Sequence, residues 1–156
     1  MPEKIVGLGV SLVICFAAAG LGSLVTAPNI PGWYTQLVKP SWNPPSSVFG
    51  PVWTALFGTM AVAAWLVWLD AGSGARIALI AFAAQLVLNI AWSALFFGLH
   101  SPRAALIEIA ALWLTIALTI AAFASVSRAA AWLLVPYLLW VTFAAYLNYT
   151  IVRLNR

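Results

Sequence analysis

Residues 77–102 read IALIAFAAQLVLNIAWSALFFGLHSP, a run without Asp, Glu, Lys or Arg in which Gln85 and Asn89 are the only amides. Wound as a helix, the run exceeds the roughly 20 residues needed to cross about 30 Å of hydrocarbon. Its medium is therefore lipid, and its two amides need protein partners, because no water reaches that depth. The whole chain agrees: 65% of its residues are hydrophobic and 6% charged, far from the roughly 45–50% and about 25% of soluble domains. Further charge-free runs occupy 5–38, 40–69, 109–127 and 129–152. The first divides near Pro28-Asn29-Ile30-Pro31-Gly32, where two prolines each remove a helical donor. The pattern predicts an all-α integral membrane protein, one domain over 1–156. It has five transmembrane helices at about 5–27, 46–69, 76–98, 103–124 and 129–153, and a long loop over 28–45. A β-barrel would need short alternating segments instead. Lys4 ahead of an apolar stretch ending in Ala17-Ala18-Ala19-Gly20 imitates a signal peptide, but the stretch outruns the roughly 7–15 residues of an h-region, so a retained helix is expected.

The net charge of +4 does not point to nucleic acid, since the seven Lys and Arg are scattered at helix ends, where they snorkel toward headgroups. Lys4, Arg76 and Arg128 fall on one side of the membrane; Lys39, Arg103, Arg153 and Arg156 fall on the other. The positive-inside tendency then places the C-terminus in the cytoplasm. Cys15 is the only cysteine, which excludes an intrachain disulfide or thiolate cluster, and neither a metal site nor a resident cofactor is expected. Nothing pairs two carboxylates or a nucleophile with a base, so ordinary hydrolytic chemistry has no support. Glu108, inside the fourth helix near Arg103, reads as an interfacial anchor or half of a local ion pair. His100, in the turn His100-Ser101-Pro102, reads as a solvated turn residue rather than a haem ligand.

The loop is unusual. Prolines stand at 28, 31, 40, 44 and 45, beside Trp33, Tyr34 and Trp42 and a single charge, Lys39. Such composition is not that of a disordered segment. A stiff apolar loop at a membrane surface is either a lid over a cavity between helices or an aromatic belt at headgroup depth. After it, Ser46 or Ser47 is expected to cap the second helix, and Pro51 falls near its first turn.

Several helices carry stripes. Trp53, Phe57 and Met60 share one face of the second; Gln85, Asn89, Trp92 and Phe96 share one of the third. Gln85 is expected to glue helices together, while Asn89 is open between that role and ligand contact. Tyr137, Trp140, Ala144 and Asn148 repeat the arrangement in the fifth, where Pro136 frees the carbonyl of Trp132 and invites a bend. The first helix offers small residues instead: Ser11, Cys15, Ala18, Ala19, Gly22 and Thr26.

Taken together, Trp33-Tyr34, KPSWNPP (39–45), FGPVW (49–53), AQLVLNIAW (84–92) with FFG (96–98), and VPYLLW (135–140) with LNY (147–149) resemble the TspO/MBR family of tryptophan-rich sensory and translocator proteins. The Ala-rich composition and the use of Arg over Lys point to a bacterial membrane; the resemblance implies a five-helix membrane bundle, commonly a homodimer, that binds porphyrins such as protoporphyrin IX. In animal members it implies sterols and drug-like apolar ligands. By motif, Trp53, Phe57, Asn89, Trp92, Phe96, Trp140, Ala144 and Leu147 would line the pocket, with Trp33, Tyr34 and Trp42 in or beside its lid. The implied role is a receptor or sensor. Light-dependent porphyrin breakdown through Trp33 and Trp140, or porphyrin and sterol transport, are the alternatives. Phe57 stands where the family often has tyrosine, and Leu147–Arg153 fits a proposed cholesterol pattern that any helix end meets easily.

Overall fold

The computed structural model describes residues 2–70 and 72–156. Its five long helices are α1 (Pro2–Thr26), α2 (Ser46–Trp68), α3 (Ser73–Ser93), α4 (Pro102–Ala124) and α5 (Arg128–Leu154), each long and apolar enough to cross a membrane. Ser101 and Ser127 cap α4 and α5, their side-chain oxygens accepting the N–H of Ala104 at 3.4 Å and of Ala130 at 3.3 Å. The expected serine cap on α2 does not form. Pro45, extended at φ −56° and ψ 144°, is the N-cap, and Ser46 is already the first helical residue. Pro44 and Pro45 hold the approach extended, so the carbonyl of Pro45 is placed to start the helix, bonding the N–H of Val48.

Side by side, the helices form a ring in the order α1, α2, α5, α4, α3, closed by α3 against α1, with α2 also touching α3 across the centre. Alanines make this closeness possible: Ala61, Ala63, Ala78, Ala105 and Ala130 are all wholly buried where helices meet. Facing lipid almost all round, α1 buries only Cys15 and Ala18. The fifth helix runs through Pro136 without interruption, and Trp132, whose carbonyl gets no N–H from Pro136, is 72% exposed.

The break expected near Pro28 is not a break. The chain continues from α1 as a tight 3-10 turn (Ala27–Asn29), then a wide π turn (Ile30–Tyr34), and is helical to residue 36; only 37–45 is irregular. Pro28 and Pro31 remove donors without stopping the coil, because side chains collect carbonyls the prolines and the altered pitch leave open. Asn29 donates to Val25 O at 2.8 Å, and Thr35 Oγ1 to Gly32 O at 2.7 Å. Lys39 Nζ ends the segment on Tyr34 O at 2.7 Å and Leu37 O at 2.8 Å, a cation at a helical C-terminus. A second π turn, Ala94–Gly98, closes α3.

Glu108 departs from expectation too. Its carboxylate oxygens are shut off from solvent and bond nothing among the described residues, while Arg103 is exposed. The α4 helix turns the acid toward the bundle and the arginine outward, so the pair does not meet.

Candidate functional site

At the lid end, a cavity of about 420 Å³ opens between α1, α2, α3 and α5, beneath Ile30 and Tyr34. Its size falls within the roughly 300–1,000 Å³ of small-molecule sites. The four helices each contribute one stripe. From α2, Trp53 sits 5.7 Å from Phe57, ring centre to ring centre; from α5, Trp140 stands perpendicular to Trp53 at 6.5 Å. From α3, Trp92 stacks on Phe96 at 5.1 Å. Small residues of α1, namely Ala18, Ala19, Gly22 and Thr26, leave the space that the aromatics enclose.

Polar atoms in this wall are fixed by cross-helix bonds. Asn89 Nδ2 donates to the Tyr137 hydroxyl at 2.9 Å, and that hydroxyl donates to Gln85 Oε1 at 2.8 Å. Gln85 thus has the gluing role, whereas Asn89 both joins α3 to α5 and lines the cavity. Trp92 Nε1 donates to Asn148 Oδ1 at 3.2 Å, and Asn148 Nδ2 to the carbonyl of Pro102 at 2.8 Å. A hydrogen bond to each of these groups removes the cost of holding it in lipid and locks its rotamer.

Trp53, Phe57, Asn89, Trp92, Phe96, Trp140, Ala144 and Leu147 all line this cavity, and so does Tyr34. Trp33 and Trp42 do not. Trp33 packs behind the wall, edge-on to Phe96 at 5.4 Å and stacked on His100 at 4.6 Å. Trp42 lies on the outer face of α5, stacked on Tyr146 at 5.3 Å. The loop's aromatics are therefore divided: Tyr34 lines the cavity, and Trp42 packs outside it on Phe143 and Tyr146. His100 is exposed in its turn, as the sequence suggests, and is also bonded there, its Nε2 meeting Asn29 Oδ1 at 2.8 Å with the backbone at a φ of 51°. Sequence reasoning omitted Phe49 and Asn148 from the wall. Phe49 is one turn before Trp53 and Asn148 one turn after Ala144, so the stripes themselves carried that signal.

Three further ties hold the loop. Tyr34 donates to Asn43 Oδ1 at 3.2 Å. Asn155 grips the backbone of Val38 twice, accepting its N–H at 3.0 Å and donating to its carbonyl at 2.9 Å.

Among known proteins, the sequence profile of the TspO/MBR family matches residues 11–154. The tryptophan-rich protein TspO of Chlorobaculum tepidum is 48% identical over 158 residues, covering 99% of this chain and 99% of that protein. The tryptophan-rich sensory protein of Cereibacter sphaeroides is 41% identical, over 92% of this chain and 88% of its own length. The translocator protein of Homo sapiens is 39% identical, over 88% and 86%. A profile matched almost end to end, and relatives aligned over nearly their full lengths, place the chain by descent as its cavity places it by shape: it belongs to the TspO/MBR family.

Proposed function

We propose that this integral membrane protein is a receptor that senses a flat, largely apolar tetrapyrrole, such as protoporphyrin IX, bound in the lid-end cavity. The carrying observation is the wall itself: Trp53 and Trp140 stand perpendicular, Trp92 and Phe96 present a stacked pair, and Asn89 and Asn148 are fixed amides in the same wall. Aromatic faces suit a conjugated macrocycle, and a pair of fixed amides, Asn89 and Asn148, orients it without a high desolvation cost. The relatives named as sensory and translocator proteins fit a membrane protein that handles a small molecule. Light-driven breakdown through Trp33 and Trp140 has less support, because only Trp140 of the two lines the cavity.

The test is a titration of the detergent-solubilised protein with protoporphyrin IX, read by quenching of tryptophan fluorescence. Trp53→Ala and Trp140→Ala should each weaken binding by roughly tenfold, the equivalent of about 1.4 kcal/mol of lost stacking and burial. Trp132→Ala, which removes a lipid-facing ring, should leave affinity unchanged. Equal affinity in all three folded variants would place the site elsewhere.

A further inference from the structure

A second cavity, of about 650 Å³, lies at the opposite end of the bundle, in the groove between α1, α2 and α3. Its walls are Val6, Val10 and Ile14 of α1, Trp68 of α2, and Leu79 and Phe82 of α3. Unlike the lid-end cavity, it places no amide and no tyrosine hydroxyl in its wall; Ser11 and Cys15 supply a hydroxyl and a thiol. Gly7 lets the Trp68 ring lie directly on α1, for a Cβ at that position would collide with it. Trp65 Nε1 donates to the carbonyl of Lys4 at 2.9 Å and fixes the end of α1 beside this groove.

Three features identify what fits. The groove is open to the hydrocarbon, since Val6, Val10 and Ile14 are each more than half exposed. It runs from Glu3 to Cys15 along α1, which at 1.5 Å per residue is about 18 Å, close to the roughly 15 Å of one leaflet. At its outer end stand charges: Glu3 lines the mouth, Lys4 is its neighbour, and Arg76 is one turn surfaceward of Leu79. Both cations are exposed and free of salt bridges among the described residues. An apolar channel one leaflet deep, with Lys4 and Arg76 and the acids Glu3 and Asp70 at that end, matches a zwitterionic phospholipid.

We propose that this groove holds one acyl chain of a membrane phospholipid of the phosphatidylethanolamine type, its phosphate against Lys4 and Arg76 and its ammonium toward Glu3. The lipid completes the packing of the helix that has least of its own. Cys15 and Ala18, the two buried residues of α1, line different cavities, Cys15 the lipid groove and Ala18 the lid-end cavity.

Native mass spectrometry of the full chain released from detergent, with added palmitoyl-oleoyl phosphatidylethanolamine, tests the assignment. One lipid per protomer should be retained, and monoolein, which lacks the phosphate, should be lost. Ala83→Phe and Val10→Phe each put a ring into the groove from an exposed position, so neither disturbs the core. Both should reduce the retained lipid to the level of chance micelle carry-over. Lys4→Gln and Arg76→Gln should each lower retention about fivefold, the value of one cation near an anionic group at a membrane surface. Undiminished lipid in both ring-filled variants would overturn the proposal. So would variants that break an oligomer into protomers with their lipid count unaltered, which would make a second copy of the chain the occupant.

Discussion

At the lid end, tryptophans, phenylalanines and amides from four helices surround a cavity, and the amides are already held by the Tyr137 hydroxyl, the Trp92 indole and the carbonyl of Pro102. At the other end, the walls are mostly aliphatic, with Trp68 and Phe82 as their rings and Glu3, Ser11 and Cys15 as their polar side chains, and the groove stays open toward lipid. Both spaces use α1 as one wall and are of the same order of size, so volume does not separate them. Fixed polar groups do. The stripe of small residues on α1 is shared between them: Ser11 and Cys15 face the groove, while Ala18, Ala19, Gly22 and Thr26 face the aromatic cavity. Where partners are aromatic and amidic, the space selects shape and orientation; where they are aliphatic, it accepts a flexible chain of the right length.

The sharpest way to break this contrast is Tyr137→Phe. The hydroxyl joins Asn89 to Gln85, and its loss leaves two buried amides short of a bond. The expected cost is about 1–3 kcal/mol, toward the lower end because a chain unfolded within a membrane also finds partners. Thermal unfolding in detergent should show a clear drop, against no measurable change for Ser11→Ala in the groove. Equal effects would mean that the two ends are held in the same way.

A smaller effect is expected from Trp92→Phe, which keeps an aromatic ring against Phe96 but deletes the indole N–H that reaches Asn148. Such interhelical bonds contribute about 0.6–1.7 kcal/mol. A double-mutant cycle with Asn148→Ala should return a coupling in that range. Strict additivity would show that the two side chains touch without supporting one another.

The five helices were legible because composition and charge-free length are properties of each segment alone. So were the stripes that meet around the lid-end cavity, since spacing by three and four defines a helix face without reference to any other helix. The helical course from Pro28 to residue 36 was not legible. It depends on Asn29, Thr35 and Lys39 reaching back to particular carbonyls, and proline spacing alone reads as an end. The pairing of Trp33 with His100 joins residues far apart in the chain, and only helix register brings them together. Glu108 and Arg103 show the reverse: near in sequence, they point to different sides of α4. The lipid groove left no mark, because a valine facing a cavity and a valine facing the bilayer are the same letter with the same periodicity.

The smallest expected effect belongs to Asn155→Ala. Both of its bonds to Val38 are exposed, so stability should fall by less than about 1 kcal/mol. Amide exchange at Val38 and proteolytic cutting within 37–45 should nevertheless quicken several-fold, with exchange in α2 and α3 unchanged. Unaltered exchange at Val38 would mean that the stack of Trp42 on Tyr146 is enough to hold the loop.

That clamp also sets a clock. Asn155 follows Val38 by 117 residues, so at a synthesis rate of about 5–20 residues per second the loop leaves the ribosome roughly 6 to 23 seconds before its fastener exists. His100 arrives sooner, and a nascent chain can therefore pin Trp33 while Val38 still hangs loose. The aromatic chamber is finished only when the last helix has threaded into the bilayer, and until then a protease meets an open door.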